Sequence, residues 1–154
     1  MTLTHPLREH QFTANLAEHH LVTLAAAARE VSFASDQRIL LSGQRSTHFY
    51  LLLSGSVCVE ICNPVYTVCV QVLGPGEAFG WSSFLGHHDT LFQVRAREEC
   101  RAICWDGLQL SAACREDPEL GVALFSRLLE LVAGRVKATE AALAEFLGSP
   151  LPAN

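Results

Sequence analysis

Short apolar segments that end in glycine, serine or proline turns fill the middle of this chain, and they restrict it to a mainly β fold. Turns such as Ser42-Gly43, Ser54-Gly55 and Asn63-Pro64 are too frequent to leave room for helices between them. The segments predicted as strands are 30–33, 38–41, 48–53, 57–62, 66–73, 91–96 and 100–105. Many short strands with tight turns predict two packed antiparallel sheets, as in a sandwich or jelly roll.

Helices are predicted on both sides of this β region. Residues 14–29 combine good helix formers with an apolar stripe that includes Leu21 and Leu24. His19 and His20 lie within it, and we interpret them as surface or boundary residues rather than ligands. After the last strand, Asp106 is a predicted N-cap for a short helix over 107–114.

A long helix is predicted over 118–147. Asp117-Pro118 supplies an N-cap and a proline at the first helical position, and Gly148-Ser149-Pro150 ends the helix. Gly134 lies inside it, and we read it as a kink or a close contact.

Two apolar stripes run along this helix. One has heptad-like spacing and the other lies beside it, and packing against a single sheet needs only one stripe. The first comprises Val122, Phe125, Leu129, Val132, Val136, Thr139, Leu143 and Phe146, and the second Leu124, Leu128 and Leu131. We therefore favour a parallel homodimer through 118–147. The alternative is a helix deeply buried in its own domain.

Residues 73–96, LGPGEAFGWSSFLGHHDTLFQVRA, carry the clearest sign of a binding site. A turn leads to Phe79-Gly80 and then to a short helical segment, Trp81 to Leu85. Gly80 has no Cβ to hold the backbone away from an anion. The amides of Trp81, Ser82 and Ser83 begin the helical segment, where unpaired N–H groups attract negative charge.

This segment resembles the phosphate-binding cassette (79–96) of cyclic-nucleotide-binding domains. The resemblance extends over about 16–147, with the order of an amphipathic helix, strands with Gly43 and Gly55 at early turns, the cassette, two strands, a short helix and a long helix. It implies a β-roll or jelly roll with flanking helices and a long C-terminal helix, as in the regulatory half of catabolite activator proteins. Those regulators continue into a helix-turn-helix domain. Since this chain runs from Met1 and stops at Asn154, we expect a whole protein without one.

The cassette departs from the family pattern at two positions. Trp81 occupies the place of a glutamate that accepts from the ribose hydroxyl, and Thr90 that of an arginine that contacts the cyclic phosphate. Neither replacement restores the lost chemistry, because indole accepts no hydrogen bond and threonine has no charge. Arg95 has the opposite strand parity from Thr90 and should point away. Trp81 is expected either to stack on a flat ligand or to fill the cavity.

The resemblance also implies a set of ligand contacts. A polar residue on the family's long helix meets the nucleotide base, and Thr139 lies at about that position, unless it is only a residue of the dimer seam. His87 and His88 precede Thr90, and we read them as loop histidines that can approach an anion. The implied ligand is cAMP, cGMP or a related anion, and the implied site residues are Gly80, Trp81, Ser82, Ser83, Thr90, Leu91 and Thr139.

The composition of the chain limits the classes of partner that it is expected to bind. The net charge of −5 disfavours nucleic acid, and the basic residues are scattered. No apolar run approaches the roughly 18 to 20 residues of a membrane span, and residues 1–10 lack the apolar core of a signal peptide. We expect a cytoplasmic protein that binds neither membrane nor nucleic acid. Its partner is expected to be a downstream protein, which the sequence does not identify.

The six cysteines are predicted to be small buried hydrophobes in a reduced core. No CxxC pair occurs, and Cys58 with Cys62 and Cys100 with Cys104 should each share a strand face. The open alternative is a metal or redox site, although the spacing is unlike that of zinc sites.

Two functions remain after this reading, both within one domain. The chain is either a ligand-sensing regulatory module that signals through a helix dimer, or a degenerate domain that binds no nucleotide and acts as a dimeric scaffold. We assign no catalytic or metal site, because His48 stands alone and no HxH pair with a carboxylate occurs. The predicted organisation is an arm (1–13), a helix (14–29), a β-roll (30–105), C-terminal helices (106–147) and a tail (148–154).

Overall fold

The computed structural model describes residues 2–85 and 92–148. Within these ranges lie eight strands, four α-helices and one 3-10 turn. The strands are β1 (Arg29–Phe33), β2 (Arg38–Leu40), β3 (His48–Ser54), β4 (Val57–Cys62), β5 (Thr67–Leu73), β6 (Ala78–Phe79), β7 (Phe92–Ala96) and β8 (Cys100–Asp106). The helices are α1 (Thr4–Glu9), α2 (Glu18–Ala27), α3 (Gly107–Glu116) and α4 (Pro118–Phe146), and the 3-10 turn is Trp81–Leu85.

The strands form two four-stranded antiparallel sheets, as the turn pattern predicts. One sheet has the order β1-β8-β3-β6 and the other β2-β7-β4-β5. Strand β3 explains how they share a core, because successive side chains point to opposite faces. Tyr50 and Leu52 pack between the sheets, whereas Phe49 and Leu51 pack against the helices. The mainly β fold with flanking helices and a long C-terminal helix is therefore confirmed.

The N-terminal region contains a helix that the sequence reading missed. Residues 1–13 were predicted as an arm, but α1 occupies part of them and buries Leu7 completely. Thr13 helps to hold it, since its hydroxyl donates to the carbonyl of Leu7. The second helix is shorter than predicted, because Asn15 adopts a positive φ of 68° and Ala17 is extended before α2 begins.

The two histidines of α2 differ in their surroundings. His19 is exposed, but only 2% of His20 is accessible, so the interpretation of both as surface or boundary residues is wrong for His20. The predicted apolar stripe holds, with Leu21 and Leu24 buried against the core.

Both predicted N-caps are present at the C-terminal helices. Asp106 accepts from the amide of Gln109 at 3.0 Å, and Asp117 accepts from that of Leu120 at 3.3 Å. Helix α4 then runs without interruption through Gly134, and no described atom lies within 4 Å of a Cβ built there. The expected close contact at Gly134 is therefore absent from the described part of the chain, and the helix is not broken there.

A β-bulge in β5 changes which residues share a face. Val59 pairs with Gln71 but the next residue of β4, Glu60, pairs with Cys69, so Val70 is the extra residue. In the sequence Val68, Val70 and Val72 alternate, which predicts that they share one face of the strand. The bulge makes this prediction wrong, and Val72 is 46% exposed.

The same bulge brings two cysteines together. Cys69 falls on the face of Cys58, and the two form a disulfide with a Cα–Cα distance of 6.0 Å. The expectation of six reduced, buried cysteines is wrong for this pair. Cys62 is half-buried, while Cys100 and Cys104 are buried in the same cluster, as predicted for that pair.

A second buried histidine, His10, joins the α1 region to the β-roll. Its Nδ1 accepts from the amide of Phe12 at 3.1 Å, which puts the proton on Nε2, and Nε2 donates to the carbonyl of Leu52 at 3.0 Å. Burial lowers the pKa of His10, against the smaller opposing effect of the hydrogen bond to Leu52. The ring is therefore held in its neutral form.

Candidate functional site

The turn that leads into the cassette is built by its own backbone and one carboxylate. The amide of Gly74 donates to Glu77 Oε2 at 2.7 Å, and the amide of Glu77 donates to the carbonyl of Gly74 at 3.2 Å. Gly76 has φ +91° and donates its amide to Leu52, which attaches the turn to β3. The chain then enters β6, where the ring of Phe79 stacks on Tyr50 with centroids 4.9 Å apart.

Gly80 is required by its neighbours in the fold. Its φ is +85°, a region that side chains with a Cβ rarely adopt, and an added Cβ would lie 2.3 Å from the carbonyl oxygen of His48. The missing Cβ therefore points at β3. From the sequence, the missing Cβ was expected to make room for an anion, whereas in the structure it makes room for the backbone of β3.

The 3-10 turn after Gly80 divides its serines between two roles. Ser83 donates both its amide, at 3.1 Å, and its hydroxyl, at 2.7 Å, to the carbonyl of Gly80. It is buried against Gly107, whose Cβ would meet the Ser83 side chain at 2.5 Å. Ser83 therefore closes the turn, and its N–H is not free to receive an anion. Ser82 lies on the other side, on the wall of a cavity.

That cavity has a volume of about 60 Å³ and lies between the second sheet, the 3-10 turn and α4. Its walls are mostly apolar, with polar groups where α4 and β5 meet. The lining residues are Leu40, Val59, Val70, Gln71, Phe79, Gly80, Trp81, Ser82, Phe92, Val94, Arg135 and Thr139. Of the predicted site residues, Gly80, Trp81, Ser82 and Thr139 are thus brought to one cavity, and Ser83 is not among its lining residues.

Arg135 is the charged group of this cavity, and the sequence reading did not single it out. Its guanidinium donates to Gln71 Oε1 at 3.1 Å and to the carbonyl of Ala78 at 2.5 Å. Burial lowers its pKa, and the negative charge of Glu77 opposes that shift, but an arginine stays charged. It makes no salt bridge with any residue in 2–85 or 92–148.

The sequence contains a pattern that points to Arg135. Residues four apart on a helix share a face, so Arg135 lies one turn before Thr139, which was predicted to face the ligand. The hydroxyl of Thr139 donates to the carbonyl of Arg135 at 2.8 Å and retains its capacity to accept. Both side chains therefore present polar groups to the same cavity.

The arginine of β7 lies elsewhere, as its strand parity suggests. Arg95 pairs with Glu60 at 3.1 Å and with Asp36 at 3.3 Å, while its neighbour Val94 lines the cavity. The hydrogen bond to Glu60 raises the pKa of Arg95. Arg95 is thus held by carboxylates on the outer face of the sheet.

Residues 86–91 of the predicted cassette lie outside the described part of the chain, and they include His87, His88, Thr90 and Leu91. Their proposed roles therefore rest on the sequence alone.

An apolar face lies along α4 on the side away from the core. The two stripes predicted for this helix separate in part. Leu124 and Leu128 are buried in the domain, but Val132 and Thr139 of the other stripe are half-buried, and Thr139 lines the cavity. The other stripe contains six residues that are 46% to 72% exposed, namely Val122, Phe125, Leu129, Val136, Leu143 and Phe146. Isolated apolar residues on a surface are normal, but a continuous apolar face of this length is typical of an interaction site.

Among residues 2–85 and 92–148, no helix has the combined length and hydrophobicity needed to cross a bilayer.

Comparison with known proteins gives a family match and several structural matches. The family model of the cyclic nucleotide-binding domain matches residues 30–117, more than half of the chain. No curated protein matches the chain.

Three solved structures illustrate the likeness. A candidate cyclic nucleotide-binding protein from Geobacter metallireducens GS-15 is 26% identical, covers 88% of this chain and 99% of its own, and has a TM-score of 0.76. A cyclic nucleotide-binding domain from Methylobacillus flagellatus KT is 17% identical, with coverage of 99% and 88% and a TM-score of 0.80. The regulatory subunit of a cAMP-independent protein kinase A from Trypanosoma brucei is 17% identical, with a TM-score of 0.72. The match covers 94% of this chain and 50% of that one.

Proposed function

This chain belongs to the cyclic nucleotide-binding domain family, and we propose that it is a non-catalytic regulatory module that senses a small anionic effector. The effector class is a cyclic nucleotide, cAMP or cGMP, or a related anion. The observation that carries the proposal is the cavity beside the cassette, in which Arg135 presents a positive charge that forms no salt bridge with the described residues.

Arg135 offers an anion part of what the cassette has lost. A hydrogen bond to a charged group contributes about 1.5 to 3 kcal/mol, and an arginine adds two parallel donors. The glutamate and arginine of the family pattern are replaced by Trp81 and Thr90. We therefore expect weaker binding than in a complete cassette, by one or more factors of ten.

Trp81 is the side chain that must respond to a ligand. Ligand sites commonly enclose about 300 to 1,000 Å³, whereas this cavity has about 60 Å³. The half-buried indole of Trp81 lies on its wall and packs against the core. Binding should move this indole or stack it on the ligand, and its fluorescence should change. The other tryptophan, Trp105, is buried and donates to the carbonyl of Leu24, so it should respond little.

The alternative function is a degenerate domain that binds no nucleotide and serves as a dimeric interaction scaffold. Trp81, Thr90 and the small cavity favour it. The two functions make opposite predictions for the unmodified protein. Under the first, cAMP, cGMP or a cyclic dinucleotide raises the melting temperature, and the rise continues with the logarithm of the ligand concentration above Kd. Under the second, millimolar concentrations of each leave it unchanged.

Two variants separate these outcomes from an inactive preparation. Arg135→Gln should abolish the ligand-induced shift and the fluorescence change. Its matched control is Arg127→Gln, since Arg127 lies two turns earlier on α4, donates to the carbonyl of Phe12 at 2.6 Å and does not line the cavity. Equal ligand responses in both variants would contradict the role of Arg135.

A restored variant tests the cassette itself. Trp81→Glu with Thr90→Arg returns the two family side chains and should strengthen cAMP binding by at least about tenfold. The trypanosome subunit offers a parallel, because a variant of it with Glu→Ala, Thr→Arg and Val→Ala substitutions is bound to cAMP in its A site. If the restored variant binds cAMP no better than the parent, the resemblance does not extend to the binding chemistry.

We propose that the exposed face of α4 forms a parallel homodimer, through which the module signals. Leu129, 72% exposed, lies within this face. Leu129→Glu should convert a dimer to a monomer in sedimentation velocity experiments. Leu108→Glu is the control, because Leu108 is 61% exposed but lies on α3. A protein that is monomeric before substitution would rule out the dimer.

We also propose that the module acts in the cytoplasm on another protein. The net charge of −5 disfavours direct contact with nucleic acid. An electrophoretic shift of DNA by the purified protein would contradict this part of the proposal.

A further inference from the structure

The junction of α2 with the start of α4 brings together three metal-ligating side chains that the cavity does not use. They are His19 and His20 in the first turn of α2 and Asp117, the residue between α3 and α4. Their nitrogen and carboxylate ligand atoms all lie within 4.8 Å of one another.

His20 supplies an independent sign that something is bound there. The side chain is almost fully buried, yet its Nε2 has no hydrogen-bond partner among the described residues. The atom nearest to satisfying it is Asp117 Oδ2, at 3.3 Å. A buried imidazole nitrogen normally has a partner, and this one lies close to a carboxylate oxygen without a hydrogen bond to it.

The separation of these two atoms suits a shared metal ion. Zinc holds nitrogen and oxygen ligands at about 2.0 to 2.2 Å in a tetrahedral arrangement, so two of its ligand atoms lie about 3.4 Å apart. His20 Nε2 and Asp117 Oδ2 already have this spacing. His19 is exposed and can approach by rotation of its side chain.

We propose that His19, His20 and Asp117 form a site for a divalent transition-metal ion of the zinc class. Two imidazoles and one carboxylate favour zinc over magnesium or calcium, because the latter two ions bind mainly oxygen ligands. Water completes the coordination, since the side chain of Asp117 is 41% exposed. The site is independent of the effector cavity and of the proposed function.

Asp117 can serve the metal without giving up its structural role. Its Oδ1 accepts from the amide of Leu120, while its Oδ2 faces His20. The positive ends of α2 and α4 oppose a cation, and Glu18 and Glu119 in their first turns offset that effect. A bound ion would join α2 to the beginning of α4.

The test is a calorimetric titration of the metal-free protein with Zn²⁺, followed by metal analysis after dialysis. We expect one ion per chain. His19→Gln and Asp117→Asn should each weaken zinc binding by at least about tenfold. Mutation of a residue that only hydrogen-bonds to a metal ligand already lowers metal affinity by about that factor. Asparagine caps a helix about as well as aspartate, so Asp117→Asn removes the ligand charge and keeps the start of α4. Substitution of the buried His20 is avoided because it can unfold the domain.

Two controls locate the ion. His5→Gln should bind zinc like the parent. His5 forms an exposed pair with Glu9 elsewhere on the chain, with His5 Nδ1 at 3.6 Å from Glu9 Oε2. A His87→Gln/His88→Gln variant should also retain the ion. Absence of saturable 1:1 binding, or unchanged affinity in both His19→Gln and Asp117→Asn, overturns the proposal. So does loss of binding in the His87→Gln/His88→Gln variant alone.

Discussion

Replacement of Gly80 by alanine separates two reasons for a glycine at one position. A non-glycine residue in the left-handed region costs about 1 to 2 kcal/mol. At Gly80 there is a second cost, because the new Cβ would lie 2.3 Å from the carbonyl oxygen of His48. That oxygen belongs to the backbone of β3, so only a movement of the chain between β6 and the 3-10 turn can relieve the contact.

The size of this second cost follows from what the movement disturbs. Strands β3 and β6 are paired at Tyr50 with Phe79 and at Leu51 with Ala78. Weakening one or two backbone hydrogen bonds there costs about 1 kcal/mol each. We therefore expect Gly80→Ala to lower the free energy of unfolding by about 3 kcal/mol or more.

Gly43 provides the matched control. Its φ is +76°, but nothing described lies within 4 Å of an added Cβ, so Gly43→Ala incurs only the conformational cost. In urea unfolding, with an m-value of about 2 kcal/mol/M, Gly80→Ala should shift the midpoint by about 1.5 M and Gly43→Ala by about half of that. Equal shifts in the two variants would refute the assignment of Gly80 to contact with β3.

Two further predictions concern groups away from the cavity. Because burial lowers the folded-state pKa of His10, the stability that it contributes is present above about pH 6.5 and is lost as pH falls through the lowered value. The unfolding free energy of the parent should thus fall more steeply than that of His10→Gln as the pH drops below about 6.5 in pH-dependent urea melts, and parallel profiles would contradict this. The Cys58–Cys69 disulfide closes a loop of separation 11, and a Cys58→Ser/Cys69→Ser variant should lose about 2 to 3 kcal/mol. Reductant should destabilise the parent in the same urea assay and leave the double variant unchanged, and an equal effect on both would show that the reductant does not act through this disulfide.

The sequence predicts the larger strands because their information is local. Alternating apolar residues between glycine and proline turns locate seven strands to within two residues at each end, and Asp106 and Asp117 mark both C-terminal helix starts. Strand β6 was missed because two residues carry no periodicity. Helix α1 was missed because its six residues are held by the burial of Leu7, a long-range contact.

The errors within elements have one physical cause. The disulfide depends on the bulge at Val70, which moves Cys69 to the other face of the strand. No residue pattern in β5 predicts this bulge. The burial of His20 depends on how α2 meets the start of α4, through Asp117. Each is decided by packing between segments distant in sequence, so local patterns alone cannot predict it.

Arg135 shows how a contact between distant segments changes the chemistry of the candidate site. The two missing cassette side chains, judged alone, suggest a site without positive charge. The fold brings in an arginine from α4, within reach of Gln71 and Ala78.

A ligand can shift a conformational equilibrium only by its difference in affinity for the two states. An anion that draws Arg135 away from the carbonyl of Ala78 would exchange a contact between α4 and the β-roll for a contact between α4 and the ligand. We therefore expect effector binding to act on α4 directly. Hydrogen exchange of the α4 amides should then change with cAMP in the restored variant, and should not change once Arg135→Gln is added.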